Sequence, residues 1–143
     1  MSHDDQAAPA AFDAAARRAA FRELHRGGCF VIPNPWGIGS ARYLAHLGFK
    51  ALATTSAGLA FSRGLPDSGA LPRDMVIANA AEIAAATELP VNADFQAGYA
   101  DEPEGVATNV TLCIRTGVAG LSIENATGDR RIPFTSCARP SRG

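Results

Sequence analysis

The sequence predicts an α/β protein with parallel strands. Short apolar runs alternate along the chain with longer segments whose apolar residues recur every three or four positions, as in helices. The apolar runs do not alternate with polar residues, which is typical of strands buried under helices. Strands separated by helices pair in parallel through right-handed crossovers, so these observations together predict a helix-covered parallel sheet.

The predicted elements follow the order α-β-α-β-loop-α-β-α-β. Gly27-Gly28 ends the first helix and Gly117 ends the last, while Ser40 is placed to cap the second. Two turn signals, Arg63-Gly64 and Asp67-Ser-Gly69, predict that the segment 56–70 is mostly loop. The helices are expected at about 10–26, 40–48, 73–87 and 104–116, and the strands at 29–32, 51–55, 91–94 and 118–124.

The two ends of the chain differ in character from its middle. We expect residues 1–9 to form a disordered lead. All the predicted strands and helices lie within residues 10–127. Residues 128–143 have no periodicity and contain four arginines, so we expect an irregular basic tail. The chain is therefore interpreted as one folded domain between two irregular segments.

Composition excludes several functional classes. Apolar residues make up 47% and charged residues 19% of 143 residues, and the net charge is −1. This balance is typical of a globular protein and gives no electrostatic footprint for nucleic acid. No apolar run approaches the roughly 20 residues of a membrane span, and the N-terminus lacks a signal-peptide core. We expect a cytoplasmic protein that binds neither nucleic acid nor membrane.

Polar side chains stand where the later strands end. Asn92 and Asp94 are two residues apart, as are Ser122 and Glu124, so each pair lies on one face of its strand. The carboxyl ends of parallel strands share one rim, and Mg²⁺ prefers oxygen ligands there. Asp94 and Glu124, with Asn92 and Asp67, are therefore candidate ligands of a divalent cation.

Each of these acids also has an ordinary structural interpretation. Asp94 could cap or turn the loop that follows it, and Asp67 lies in a sequence typical of a plain turn. Glu124 could be a solvated loop residue. Trp36, which follows a proline, is interpreted as a packing anchor.

Five segments, in order, resemble the isocitrate lyase/phosphoenolpyruvate mutase superfamily. The resemblance covers about residues 18–129, and the five together are far more specific than any one alone. The segments are Asn34-Pro-Trp-Gly-Ile-Gly-Ser-Ala-Arg42, Ala53-Thr-Thr-Ser-Ala-Gly58, Gly64-Leu-Pro-Asp67, Val91-Asn-Ala-Asp-Phe-Gln-Ala-Gly-Tyr99 and Leu121-Ser-Ile-Glu124.

The resemblance implies a (β/α)₈ barrel that binds Mg²⁺, or Mn²⁺, and makes or breaks a bond at C3 of a small 2-oxo acid through an enolate. It implies Asp94 as direct metal ligand, Asn92 at the neighbouring metal-shell position, and Glu124 as the acid that orients metal-bound water. Asp67 matches a mobile-loop or metal-shell acid. The segment that would cradle the substrate carboxylate is Thr55, Ser56 and Ala57.

Two departures from the family limit this expectation. Asn92 stands where many relatives have an acid, and the loop after the fourth strand lacks the cysteine motif of the lyase branch, which favours a decarboxylase, hydrolase or mutase-like member. A complete barrel needs about 250 residues. We therefore expect the N-terminal half of a barrel, with about four strands, that self-associates if folded. A catalytically inactive truncated remnant and a half-barrel interaction module are the alternatives.

Overall fold

The computed structural model describes residues 13–67 and 71–124, together with the backbone of 126–127 and 130–131. The predicted lead at 1–9 and most of the predicted tail lie outside these residues. The main elements are α1 (Ala14–Leu24), α2 (Ile38–His46), β1 (Leu52–Ala53), α3 (Ser56–Ser62), α4 (Arg73–Ala85), β2 (Val91–Asp94), α5 (Pro103–Arg115) and β3 (Gly120–Ser122).

The strands form a parallel sheet in the order β1-β2-β3. Leu52 pairs with Val91, and Asp94 pairs with Ser122, so the ends of β2 and β3 lie side by side. A helix precedes β2 and another precedes β3, which is the crossover arrangement that parallel pairing requires. The α/β class predicted from the sequence is therefore observed.

The core lies on one face of this sheet. Along β2, Val91 and Ala93 are buried, whereas Asn92 and Asp94 on the opposite face are half-buried. Ile83 of α4 and Cys113 of α5 are fully buried in the same cluster as Val91. Burying a side chain of this size contributes about 1.5–3 kcal/mol. The apolar alternate residues of β2 thus fix which face of the sheet carries the polar ones.

Helix α1 is held by two arginines against the C-terminal ends of α4 and α5. Arg17 is buried and donates to the carbonyl of Ala84 at 2.8 Å and to that of Thr87. Arg18 donates to the carbonyls of Ile114 and Val118, at 3.1 and 3.3 Å. The last carbonyls of a helix have no partner within it and carry partial negative charge, so guanidinium groups stabilise them.

The strand predicted at 29–32 is not part of the sheet. One backbone hydrogen bond joins this region to β1, from the Ala53 N–H to the Pro33 carbonyl at 3.1 Å. Pro33 and Pro35 have no N–H to donate to a ladder. The side-chain amide of Asn34 donates instead to the Ala53 carbonyl at 3.1 Å. Three of the four predicted strands are therefore present in the parallel sheet.

Two further predictions about local structure were wrong. The segment 56–70 begins with helix α3, because the Thr55 hydroxyl caps it by accepting the Gly58 N–H at 3.2 Å. Helix α2 begins at Ile38, so Ser40 lies inside it; its hydroxyl accepts the N–H groups of Trp36 and Gly37 at 3.0 and 3.2 Å. In both cases a hydroxyl accepts backbone N–H groups at the start of the helix, which fixes where the helix begins.

Two short strands lie where the predicted domain meets the predicted tail. Residues 126–127 (β4), at the end of the predicted domain, pair in antiparallel fashion with 130–131 (β5), which are the described residues of the predicted tail. Among the residues that the structure describes, no helix is both long enough and apolar enough to cross a membrane.

Candidate metal and substrate site

Asp94 is held at the end of β2 by hydrogen bonds on both sides. Its Oδ2 accepts the Ser56 N–H at 2.7 Å, and its Oδ1 lies 3.4 Å from the Gln96 N–H. Its own N–H donates to the Thr54 hydroxyl at 2.9 Å. The carboxylate is therefore fixed between the end of β1 and the loop after β2, and each oxygen retains a lone pair for another partner.

The segment predicted to bind the substrate carboxylate adjoins Asp94. Thr55, Ser56 and Ala57 lie at the start of α3, with Ser56 buried and the other two half-buried. The Thr55 hydroxyl is used as the helix cap, and the Ser56 N–H is used by Asp94. The structure thus brings the predicted substrate segment and the predicted metal ligand into direct contact, through a bond that sequence spacing does not reveal.

Asn92 lies on the same face of β2 as Asp94, as their spacing predicts. Its side-chain nitrogen is 3.3 Å from the Ser122 hydroxyl on β3. It pairs in register with Gly120, while Asp94 pairs with Ser122. Asn92 therefore links two neighbouring strands on the polar face of the sheet, two residues before Asp94.

Glu124 follows β3 and is tied to the loop after β2. Its N–H donates to the Gln96 carbonyl at 2.6 Å, and its side chain is exposed. Gln96 therefore contacts both predicted acids through its backbone: its N–H faces Asp94 and its carbonyl receives Glu124. The two acids lie on adjacent strand ends joined by one residue.

Asp67 is not brought into this group. It is exposed in the segment after α3, and residues 68–70 lie outside the described part of the chain. Within 13–67 and 71–124, no three His, Cys, Asp or Glu side chains come together as a metal-binding group. The described site consequently rests on two carboxylates rather than three.

The donor set nevertheless fits a hard divalent cation. Asp94 and Glu124 could supply carboxylate oxygens, and Asn92 could supply an amide oxygen. Mg²⁺ is commonly bound through one or two carboxylates and retains several waters, so it does not need a complete protein cage. The candidate ligands named here among the described residues are all oxygen donors, the type that hard cations prefer.

Tyr99 belongs to the site but was not predicted from the sequence. Its hydroxyl is buried and has no hydrogen-bond partner among the residues that the structure describes. Burial raises the pKa of the phenol well above its usual range, and the nearby negative charges of Asp94 and Glu124 raise that pKa further, as does Cys113. The phenol therefore lies in the field of both acids. In the sequence, Tyr99 is marked only as the last residue of the family-like segment that contains Asp94.

Trp36 packs over the start of α3. A Cβ on Gly58 would lie 2.4 Å from indole atoms of Trp36 and 2.6 Å from Cγ2 of Thr55. Trp36 also contacts Phe61 edge-on, with ring centroids 6.3 Å apart. The tryptophan is 51% exposed, so it is a packing contact at the edge of the site that remains open to solvent on one side.

The similarity to known proteins covers the region of the chain that contains the candidate site. The family model described as phosphoenolpyruvate phosphomutase matches residues 21–140. An uncharacterised protein of Mycobacterium tuberculosis H37Rv is 40% identical over 114 residues, covering 78% of this chain and 42% of the relative. The oxaloacetate decarboxylase of Pseudomonas entomophila is 35% identical over 111 residues, covering 76% of this chain and 38% of that enzyme.

A solved structure gives the same assignment. A Burkholderia cenocepacia J2315 protein, provisionally described as a lyase/mutase, superposes with a TM-score of 0.78 at 52% identity, covering 80% of this chain and 42% of that chain. The chain thus spans about two fifths of the length of these relatives. The predicted class, part of a (β/α)₈ barrel, is confirmed. The chain belongs to the phosphoenolpyruvate phosphomutase family, within the isocitrate lyase/PEP mutase superfamily.

Proposed function

We propose that this chain carries the metal-binding and carboxylate-binding part of a Mg²⁺-dependent enzyme that breaks or forms a bond at C3 of a small 2-oxo acid. The observation that carries the proposal is the 2.7 Å hydrogen bond between the Ser56 N–H and the Asp94 carboxylate. It joins the segment expected to hold the substrate to the residue expected to hold the metal. We expect the enzyme to act in the cytoplasm.

The residues that would hold the cation are Asp94, Asn92 and Glu124. When bound, Mg²⁺ would stabilise the negative charge that develops on the 2-oxo acid as the bond at C3 breaks. Mn²⁺ has the same preference for oxygen donors and would serve as a probe. Asp94 is oriented before metal binding by Ser56 and Gln96, so little side-chain ordering remains to be done.

The substrate class follows from the chemistry of the site and from the relatives. A 2-oxo acid offers a ketone oxygen and a carboxylate to one cation, and the start of α3 offers polar groups beside that cation. A relative named for oxaloacetate decarboxylation supports oxaloacetate as a first test substrate. We propose Asp67 as an acid that approaches the site when substrate is bound, consistent with its exposed position.

Calorimetric titration of the full chain with Mg²⁺ tests the metal site. We expect saturable binding that Asp94→Asn and Glu124→Gln each weaken at least tenfold. Asp101→Asn removes an exposed acid from the same loop region and is the matched control. Absence of Mg²⁺ binding, or equal binding by Asp94→Asn and the original chain, would contradict the proposal.

Pyruvate release from oxaloacetate tests the reaction. The rate with protein and Mg²⁺ is compared with the rate with Mg²⁺ alone, because the free ion also promotes decarboxylation. We expect a protein-dependent rate that Asp94→Ala abolishes. A protein-dependent rate unaffected by Asp94→Ala would place the reaction elsewhere.

A non-catalytic module that pairs with a second copy of this chain is the second candidate. The exposed apolar side chains Val31 (66%), Tyr43 (63%) and Phe61 (53%) favour it, because burying them would stabilise an assembly. The amide of Asn92, at a position where an acid is expected, also favours a module without catalytic activity. Light scattering after size exclusion, combined with the Mg²⁺ titration, separates the two: a dimer that binds no Mg²⁺ supports the module, and a monomer that binds Mg²⁺ excludes it.

A further inference from the structure

The turn after β2 has an unusual backbone. Gln96 and Tyr99 have φ values of +44° and +59°, and Gly98 between them has +83°. Left-handed conformations are disfavoured for residues with a Cβ, so two such residues within four positions need support from outside the turn. At Gly98 a Cβ would also lie 2.9 Å from Val106 of α5, so this turn is pressed closely against that helix.

Asn109 of α5 provides that support. It is 4% exposed, and its side-chain nitrogen donates to two carbonyls of the turn, Gly98 at 2.9 Å and Tyr99 at 3.0 Å. Its carbonyl oxygen accepts from Arg73 at the start of α4, at 2.9 Å. Both donors and the acceptor of the amide are used, which fixes its orientation. Because Asn109 lies on α5 and is also bonded to Arg73 of α4, it connects the backbone of the turn to both helices.

The same turn joins the two candidate metal ligands. The Gln96 N–H faces Oδ1 of Asp94 at 3.4 Å, and the Gln96 carbonyl accepts the Glu124 N–H at 2.6 Å. A change in the left-handed backbone at Gln96 would rotate both groups and move the two strand ends relative to each other. The position of the acids therefore depends on a turn that the strands alone do not stabilise.

We propose that Asn109 is a positioning residue, which holds the left-handed turn 96–99 and thereby sets the placement of Asp94 relative to Glu124. It touches neither acid directly and acts through the turn. Its effect on cation binding rests on the function proposed above, whereas its effect on the turn does not. The two effects are therefore measured separately.

The test compares two variants, each of which replaces one buried helix asparagine by leucine. Asn109→Leu removes all three hydrogen bonds at similar volume. Asn79→Leu is the control, because Asn79 is also buried, at 8% exposed, but within the described part of the chain its side chain makes a single long hydrogen bond, from its amide to the Trp36 carbonyl at 3.4 Å. Amide hydrogen exchange of Glu124 reports the turn, and Mn²⁺ affinity by electron paramagnetic resonance reports the site.

We expect Asn109→Leu to speed Glu124 exchange at least tenfold and to weaken Mn²⁺ binding at least tenfold, with Asn79→Leu within twofold of the original chain in both. A folded Asn109→Leu variant with unchanged Glu124 exchange overturns the proposal. Faster exchange in a chain that binds no Mn²⁺ supports the positioning role and contradicts the metal site. If Asn109→Leu does not fold, Arg73→Met removes the hydrogen bond that the Asn109 carbonyl oxygen accepts, together with the exposed contacts of Arg73 to Asp74. Asp74→Ala removes the contacts to Asp74 alone and is the control. Glu124 exchange that is the same in Arg73→Met as in Asp74→Ala overturns the proposal.

Discussion

The backbone N–H of Ser56 donates to the carboxylate of Asp94 at 2.7 Å, across 38 residues of sequence. This bond joins the ends of β1 and β2, which are neighbouring strands in the sheet. It makes Asp94 part of the structure as well as a candidate ligand. Substitutions at Asp94 therefore affect both stability and cation binding, and the two effects can be separated.

Asp94→Ala is expected to lower the free energy of unfolding by about 1–3 kcal/mol, because it leaves the buried Ser56 N–H without its acceptor. Asp94→Asn keeps an amide oxygen that can accept the same bond, so it should cost clearly less stability while still weakening Mg²⁺ binding. Urea unfolding measures the first effect and calorimetry the second. Equal stability losses in the two variants would contradict the structural role of this bond.

Gly58→Ala is expected to displace Trp36, because the new Cβ would lie 2.4 Å from the indole. We expect a loss of about 1–3 kcal/mol, as for other overpacked positions. Trp36 is the one tryptophan of the chain, so a shift of the fluorescence emission maximum reports its movement directly. Gly39→Ala is the control: no atom lies within 4 Å of its added Cβ, and alanine favours the helix by about 0.5–1 kcal/mol. Unchanged emission in Gly58→Ala would be inconsistent with the packing described.

Arg17→Met is expected to destabilise the fold by about 2–3 kcal/mol, because it removes the donors to the Ala84 and Thr87 carbonyls at the end of α4. The guanidinium is buried, and burial lowers its pKa. Arg22→Met, on the exposed side of the same helix, should change stability by no more than about 0.5 kcal/mol. The midpoints of urea unfolding give the comparison, and similar midpoints for both variants would show that α1 is not anchored through Arg17.

The pKa of Tyr99 is raised in the folded chain, chiefly by burial and then by the charges of Asp94 and Glu124. The folded state then holds the phenolic proton more tightly than the unfolded state does. This stabilisation is fully present below the ordinary phenol pKa of about 10 and is lost as the pH rises above it. The free energy of unfolding should therefore fall with increasing pH in the alkaline range.

Tyrosinate absorbance measures this shift directly. In Tyr43→Phe, Tyr99 is the remaining one of the two tyrosines. We expect its absorbance in the native protein to rise at a higher pH than in the same variant unfolded in urea. Coinciding native and unfolded titrations would mean that the phenol is not buried beside the two acids.

Local pattern predicted much of the fold because helices and buried strands have characteristic periods. Helices α4 and α5 and strand β2 lie close to their predicted limits. The failures occurred where a single contact overrides the pattern. The Thr55 hydroxyl starts α3 inside a predicted loop. The predicted strand 29–32 stays outside the sheet and is followed by prolines 33 and 35, which cannot donate to a ladder.

For the candidate site, the sequence by itself determined which residues share a face and the family to which the chain belongs. The two-residue spacing of Asn92 and Asp94 is a property of any strand, and motif order is read without a structure. Only the tertiary structure decided that Ser56 holds Asp94, that Asn109 supports the turn and that Tyr99 lies near both acids. Those contacts depend on the register of neighbouring strands and on how α5 packs against the turn, and neither is encoded in any short segment of the chain.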